Sequence, residues 1–490
     1  VLQFQETTFV RQYLLGAVAC FVSTTVLAAT PSAPVFRAGA ATSNITPALG
    51  SPVVGGFLAF PATNIHDELH ARCLVLDDGH TKLALVVLDL LLLDRGLDLS
   101  ARKLIEKETG IPSQNVLISA VHTHSATLAG NGPFPFAPEV KNYPGFFVRR
   151  IVDGVRCAVG RLRPAQLAFT TVEAPEHVFN RRWFQKPGTV PPNPFGGVDQ
   201  VKMNPRSGSP DLVKPAGPTD PTVSILALRE PDGRPIAVYS AYSLHYVGGV
   251  AKGDISSDYY GVYCERLERL MHGDEQDPPM VALMANGTSG DVNNINFAHP
   301  RPAKKPYEQI RFVANDLADK VHAALAKVKY QDQVTLAARY REPVIGRRVP
   351  TAEEVVWAKK RLAEPAPEPG KVDLPYIYAR ATMNMADRKA EASVAVPLQV
   401  LRIGPACIGT VPGEPFAEIG LEFRKRSPMK PAFLVGLAHG AFGYIPTAKH
   451  FAWGGYETWL GSSAFEPHGS EKILDTLVEM VSEVRPVAAK

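Results

Sequence analysis

The sequence predicts an α/β fold built as one large domain. Between Phe36 and Val172, short β-branched apolar runs alternate with longer amphipathic ones. The same mixture of strand-like and helical segments continues to a final amphipathic run at Ser470–Val484. Neither an internal repeat nor a sharp change of composition divides the 490 residues, and 45% hydrophobic against 20% charged residues suffices for a sizeable core.

The elements follow in order. Strands are expected at Phe36–Ser43, Leu69–Asp77, Leu83–Leu90, Val116–Ala120 and Gln166–Val172, and helices at Leu97–Thr109 and Phe147–Arg161. The stretch Pro187–Pro218, rich in Pro, Gly, Asn and Ser, reads as an ordered excursion or a flexible flap. Thr222–Arg229 and Pro235–Tyr242 flank Pro231-Asp232-Gly233 as a hairpin. Helices are expected at Tyr259–Met271 and Tyr307–Ala326. Thr351–Gly370 begins helical, with Ala352, Val356, Ala358 and Leu362 on one face, and ends in a linker-like run, Ala363–Gly370. Strands at Val394–Ile403 and Ala406–Val411, a helix near Pro415–Lys425 and a strand at Phe433–Leu437 precede the closing helix.

The N-terminal segment reads as a targeting signal. Arg11 precedes an apolar run from Tyr13 to Leu27, followed by Ala28, Ala29 and a Pro-rich spacer. An apolar core of about fifteen residues with a small-residue exit fits a secretory signal over residues 1–29 rather than a spanning helix. The expected mature chain, residues 30–490, is exported (secreted or periplasmic) and has no other run able to cross a bilayer. Lipid attachment at Cys20 matches its surroundings only weakly. Cys73, Cys157, Cys264 and Cys407 lack Cys-x-x-Cys spacing, so no thiolate metal site is indicated, and one disulfide among them stays open. Formal net charge is +4 with no Lys/Arg block, which argues against a nucleic-acid partner.

The most informative segment is Ala120-Val-His-Thr-His-Ser125. It follows a strand-like run, and alternation along a strand projects His122 and His124 the same way where the sheet ends. Two imidazoles there can begin a metal site, although a bare His-x-His also occurs as ordinary polar residues at a strand end.

Several motifs in order resemble the catalytic domain of the neutral/alkaline non-lysosomal ceramidases. Ala41-Thr-Ser-Asn-Ile-Thr-Pro47 resembles the family's A-x-x-D-I-T-G-P start, with Asn44 in place of Asp. His122-Thr-His-Ser125 matches H-T-H-S, and Asn180-Arg181 resembles N-R-S. Ser243-Leu-His245 resembles the segment supplying a second metal-binding His. Gly290-Asp291-Val292 matches G-D-V of G-D-V-S-P-N, and Thr410–Glu414 matches T-V-P-G-E. Tyr444-Ile-Pro-Thr447 and Tyr456-Glu457 match a Y-x-x-T…Y-E pair. The resemblance implies a large α/β domain with mixed β-sheets at the centre flanked by helices, here without the C-terminal β-sandwich. It also implies a Zn2+ ion held by His122, His245, Glu414 and Tyr444, with His124, Arg181 and Tyr456 beside it as catalytic groups. Nitrogen and carboxylate ligands with an open position suit a hydrolytic zinc ion. Singly, each residue has a bland reading: His245 as a structural histidine, Glu414 as a helix-start carboxylate, the tyrosines as packing, and Arg182 as an alternative to Arg181.

Two departures matter. Asn293 stands where the family has a Ser proposed as nucleophile; an amide cannot attack, so metal-activated water fits this chain better, with Asn293 left as a hydrogen-bond donor to substrate. After Ser125 the family's Gly-Pro-Gly-Gly is replaced by Ala126–Pro133, and an aromatic stretch, Phe134–Phe136 to Phe146–Phe147, either walls an entrance for an acyl chain or packs on the 187–218 excursion. The expected function is zinc-dependent cleavage of the N-acyl amide of ceramide-type lipids, with transient contact at a membrane surface compatible with it. The alternatives are zinc hydrolysis of a carbohydrate ester, lactone or small amide, or a non-catalytic binding protein on the same scaffold.

Overall fold

The computed structural model describes residues 35–130, 140–388 and 391–486. The signal-like segment, Cys20 and Phe134–Phe136 lie outside the described residues. From Val35 onward the chain forms a single compact unit.

Three main sheets organise it. The first has five strands in the spatial order 116–120, 82–88, 70–77, 37–44 and 163–164. The second orders 281–286, 235–242, 222–229 and 166–173, and the third orders 336–341, 398–403, 406–410 and 432–435. In each sheet one pair is parallel and the other pairs are antiparallel, so all three are mixed. The parallel pairs are 82–88 with 116–120, 235–242 with 281–286, and 406–410 with 432–435. Strand alternation explains the layering. Ala41, Cys73, Val75, Ala84, Val86 and Ile118 face one side of the first sheet, whereas Ala40, Leu74, Leu76, Leu85 and Leu117 join the second sheet in the largest core cluster.

Nine helices are present among the described residues: α1 Arg95–Thr109, α2 Tyr143–Gly160, α3 Asp258–Leu270, α4 Glu308–Leu325, α5 Ala352–Ala363, α6 Leu374–Asp387, α7 Ala417–Arg426, α8 Ala448–Trp453 and α9 Gly469–Val484. Helices α1 and α2 cover the first sheet, α3 and α4 the second, and α7 and α9 the third. The α1 boundaries are set locally. The Asp94 carboxylate accepts from the Gly96 and Leu97 backbone N–H groups, and Gly110 ends the helix at φ 73°, a conformation that costs Gly little.

The parallel pairs position the site. Their carboxyl ends converge, tied by Ala120 N–H to Leu437 O, His439 N–H to Ile118 O, Gly436 N–H to Asn286 O and Leu437 N–H to Gly413 O. The Asn286 side chain also donates to Val121 O at 2.9 Å. Loops beyond the carboxyl ends of parallel strands are the usual place for ligands in such sheets.

Most expected elements form within a few residues of their predicted bounds. The differences are specific. The 187–218 excursion is ordered: Val201–Met203 and Leu212–Pro215 flank Arg182–Gln185 in a three-stranded sheet. The linker-like run after α5 is the turn of a helical hairpin, because α6 follows and packs on α5. Helix α6 starts at a cap, with Asp373 accepting from Tyr376 N–H and Pro375 in the first turn. Phe146 and Phe147 belong to α2, where Phe147 is buried in the core and Phe146 is exposed, so neither walls an entrance. The four described cysteines are all free, and Cys73, Cys264 and Cys407 are buried.

Candidate metal centre

His122 and His124 do meet, but not by strand alternation. Their strand stops at Ala120, and His122 has φ 79°, in the left-handed region. That turn, held by His122 N–H donating to Leu90 O, brings the two Nε2 atoms within 3.2 Å. Gly55 passes so close to His124 that a Cβ there would lie 2.5 Å from the His124 Cβ. Tyr246 stacks on the His124 ring at 3.6 Å between centroids.

His245 arrives from the loop after strand 235–242, and its Nε2 is 3.1 Å from His122 Nε2. Glu414 follows strand 406–410, and its Oε2 is 3.2 Å from His122 Nε2 and 3.7 Å from His245 Nε2. The short parallel pairing of Glu414–Pro415 with Tyr444–Ile445 sets Tyr444 beside Glu414. The structure thus gathers His122, His124, His245 and Glu414 at one point, with Tyr444 paired beside Glu414.

The donor set fits a cation. His122 Nδ1 lies 2.8 Å from Leu91 O and His245 Nδ1 lies 3.1 Å from Ser289 O. A carbonyl only accepts, so each Nδ1 carries a proton, which leaves Nε2 as the ring atom free to bind a cation. Burial, reinforced by Arg181 and His122, holds His245 well below the ordinary imidazole range, and burial with His122 and Arg181 does the same for His124. Neutral rings then turn lone pairs toward one another and toward Glu414 Oε2, a buried oxygen without a hydrogen-bond partner among the described residues. Such a cluster of acceptors is repulsive unless a cation fills it. The Tyr444 phenol is pushed up by burial and by Glu414, with Arg181 opposing. As a ligand, it would lose its proton, which a bound cation would displace to solvent.

Around this cluster the short motifs interlock. Arg181 donates to Glu457 Oε1 at 2.9 Å and to Gly290 O at 2.8 Å, lies 3.4 Å from His245 Nε2, and spans the Tyr444 ring with its guanidinium 5.3 Å from the centroid. Arg182 is fully buried behind it and donates to Glu457 Oε2 at 2.7 Å and to Gly454 O. The two arginines are therefore not interchangeable: Arg181 faces the cluster and Arg182 anchors Glu457. Asp291 accepts from Asn180 at 2.8 Å and from Ala417 N–H at 2.9 Å, joining the N-R segment to the start of α7. A Cβ on Gly290 would lie 2.3 Å from Glu414 O, which is why only Gly fits there. Tyr456 meets Tyr444 edge to face at 5.6 Å. Glu457, Asp291 and Tyr246 carry this architecture yet had no role in the sequence reading; the Y-E and G-D-V motifs contained the first two.

Asn293 stands apart. Its Nδ2 lies 3.4 Å from Asn204 Oδ1, its Oδ1 accepts from Asn294, and it does not line the cavity over the cluster. The substrate contact expected of it is not supported. Glu414 is likewise no helix cap, since Phe416 occupies the position before α7 and Asp291 supplies the acceptor.

A cavity of about 990 Å³ opens over His122, His124, His245, Glu414, Tyr444 and Tyr456. Its walls include Val190–Pro194, Asp199, Val201–Asn204, the α6 face and the segment 347–349. Residues 36–323 match the family model of the neutral/alkaline non-lysosomal ceramidases, N-terminal part, which is more than half of the chain. The chain belongs to this family. In fold it is similar to the neutral ceramidase from Pseudomonas aeruginosa, with a TM-score of 0.67 and 19% identity over 93% of this chain and 76% of that one. A ceramidase complexed with C2 gives a TM-score of 0.65 at 19% identity, again over 93% and 76% of the two chains. The family match ends before Glu414, Tyr444 and Tyr456, which this chain nevertheless folds onto the family's histidine segment. Among the described residues, no helix is long and apolar enough to cross a membrane.

Proposed function

We propose that the protein is an exported, zinc-dependent amidohydrolase that releases a fatty acid from an N-acyl sphingoid base. The observation carrying this reading is the convergence of His122 Nε2, His245 Nε2 and Glu414 Oε2 within 3.1–3.7 Å, with their lone pairs turned inward. Tyr444 completes the proposed ligand set. A zinc ion held there supplies Lewis acidity toward an amide carbonyl and toward water.

The chain's own groups divide the remaining work. Arg181, fixed by Glu457 and Gly290 O, puts a positive charge where the carbonyl oxygen becomes anionic. His124 is neutral and stacked on Tyr246, so its Nε2 can take a proton and pass it to the departing nitrogen. The Tyr456 phenol, also pushed up by burial and by Glu414, stays protonated and can donate a hydrogen bond to the same oxygen as Arg181. Asn293 offers no nucleophile, and Ser289 spends its hydroxyl proton on Asn286 Oδ1, so these groups support attack by water.

The test is release of fatty acid from a short-chain ceramide by zinc-loaded full-length protein. We expect turnover in wild type and its loss in His122→Ala. Zinc-loaded protein inert on every ceramide tested would discard the lipid substrate while leaving the centre in place. A second reading keeps the same centre with another amide or ester as substrate; the cationic lining of the cavity favours it.

A further inference from the structure

One face of α6 borders the cavity: Leu374, Ile377, Tyr378, Ala381 and Met385 recur at helical spacing, and Arg388 follows the last turn. Arg347 and Arg348 line the same cavity. Arg347 pairs with Glu391 at 3.5 Å. Arg348 is half-buried and lines the cavity, yet among the described residues it makes no ion pair. Its Nη1 donates to Thr458 O, two residues from Tyr456, and its guanidinium lies 5.3 Å from the Phe451 ring centroid. Burial lowers its pKa and Glu354 opposes this, but Glu354 forms no ion pair with it. Lys202 and Arg388 also border the cavity without a carboxylate partner among the described residues. The carboxylates there, apart from Glu414, are Glu391, taken by Arg347, and Asp199, held by Trp459 Nε1 at 2.8 Å and Asn193 at 3.1 Å. Lys202, Arg347, Arg348 and Arg388 against Asp199 and Glu391 leave an excess of positive charge beside an apolar wall.

A guanidinium drawn out of water without a counter-ion is costly, and its planar fork matches a carboxylate, phosphate or sulfonate. We propose that the substrate is an anionic amphiphile, with an apolar chain along α6 and a negatively charged group on Arg348. This rests on the hydrolytic reading above and favours its second form, another amide at the same centre, since a plain ceramide carries no charge.

Two measurements on metal-loaded full-length protein separate the ideas. Isothermal titration compares octane-1-sulfonate with octan-1-ol, and turnover compares N-octanoyltaurine with N-octanoylethanolamine. We expect the sulfonate of each pair to be favoured by roughly 10- to 100-fold, the range of one charged hydrogen-bonding contact. Arg348→Gln should erase that preference, and Arg348→Lys should restore part of it. Equal binding of sulfonate and alcohol by wild type overturns the proposal without any variant. A preference that survives Arg348→Gln places the anion elsewhere, for instance at the metal cluster, and also overturns it. Selective binding without turnover of either amide would instead refute the hydrolytic reading and keep the anion site.

Discussion

The two ends of the cavity are built differently. The histidine end hangs from the carboxyl ends of parallel strands in three sheets, and its loops are locked by backbone bonds and by the Arg181–Glu457–Arg182 bridge. The far wall is an added layer, the α5–α6 hairpin and the 190–203 segment, with few fully buried side chains of its own. It is fastened by an aromatic cluster in which Phe195 meets Trp357 at 4.9 Å, Tyr378 at 5.7 Å and Trp459 at 6.4 Å. On the proposed reading, chemistry sits at the histidine end and selectivity at the far wall, so the two can vary separately.

The sharpest way to break this contrast is at the rigid end. His245→Ala should lower kcat/KM by about 10³ or more, as expected when several kcal/mol of metal-derived stabilisation is lost. Chelation of wild type should reproduce the loss, and added zinc should reverse it only in wild type.

Glu457→Gln should destabilise the fold by about 3–5 kcal/mol, read from denaturant unfolding, because two buried guanidinium groups lose their shared counter-ion. Burial alone would raise the Glu457 carboxyl, but Arg182 and Arg181 hold it below the ordinary range. A change under about 1 kcal/mol would mean the bridge is no more than a surface-type pair.

Asp258 tests the loop behind His245. It accepts from Val247, Gly248 and Tyr259 N–H groups at 2.7–2.9 Å and sits at φ 57°. Asn tolerates that backbone but loses one acceptor, so Asp258→Asn should cost about 1–3 kcal/mol. Burial pushes the Asp258 carboxyl up to about 6 despite those three donors. The folded protein therefore binds this proton more tightly than the unfolded chain, whose Asp titrates near ~4. Its contribution is complete below about pH 4 and is lost as pH rises through about 6. The decline in Tm across that window should be shallower in the variant.

The smallest effect belongs to the far wall. Asp373→Ala removes the α6 cap and should cost about 1 kcal/mol. It should raise amide exchange in α5–α6 and change KM more than kcat. An equal loss of metal affinity would show that the two ends are coupled after all.

The sequence revealed the rigid end far better than the wall. Strands such as Val116–Ala120 and Thr222–Arg229 carry dense β-branched patterns, and the short motifs sit where those strands end. Alternation predicts a shared direction for His122 and His124, whereas a left-handed turn at His122 supplies it. Helix α6 was hidden because its apolar face borders a cavity and the Pro-rich turn before it resembles a linker, although Asp373-Leu-Pro375 is a helix-start signal. Strand 281–286 is not legible in the sequence, because a six-residue buried run has no periodicity to separate strand from helix. Partners such as Glu457 with Arg181, 276 residues apart in sequence, come from tertiary structure alone.

The most direct test of the central claim is elemental analysis of purified wild type beside His245→Ala, with circular dichroism confirming that both are folded. We predict about one zinc per chain in wild type and almost none in the variant. A fully active wild type without bound metal, or a folded His245→Ala that keeps its zinc, would contradict the account.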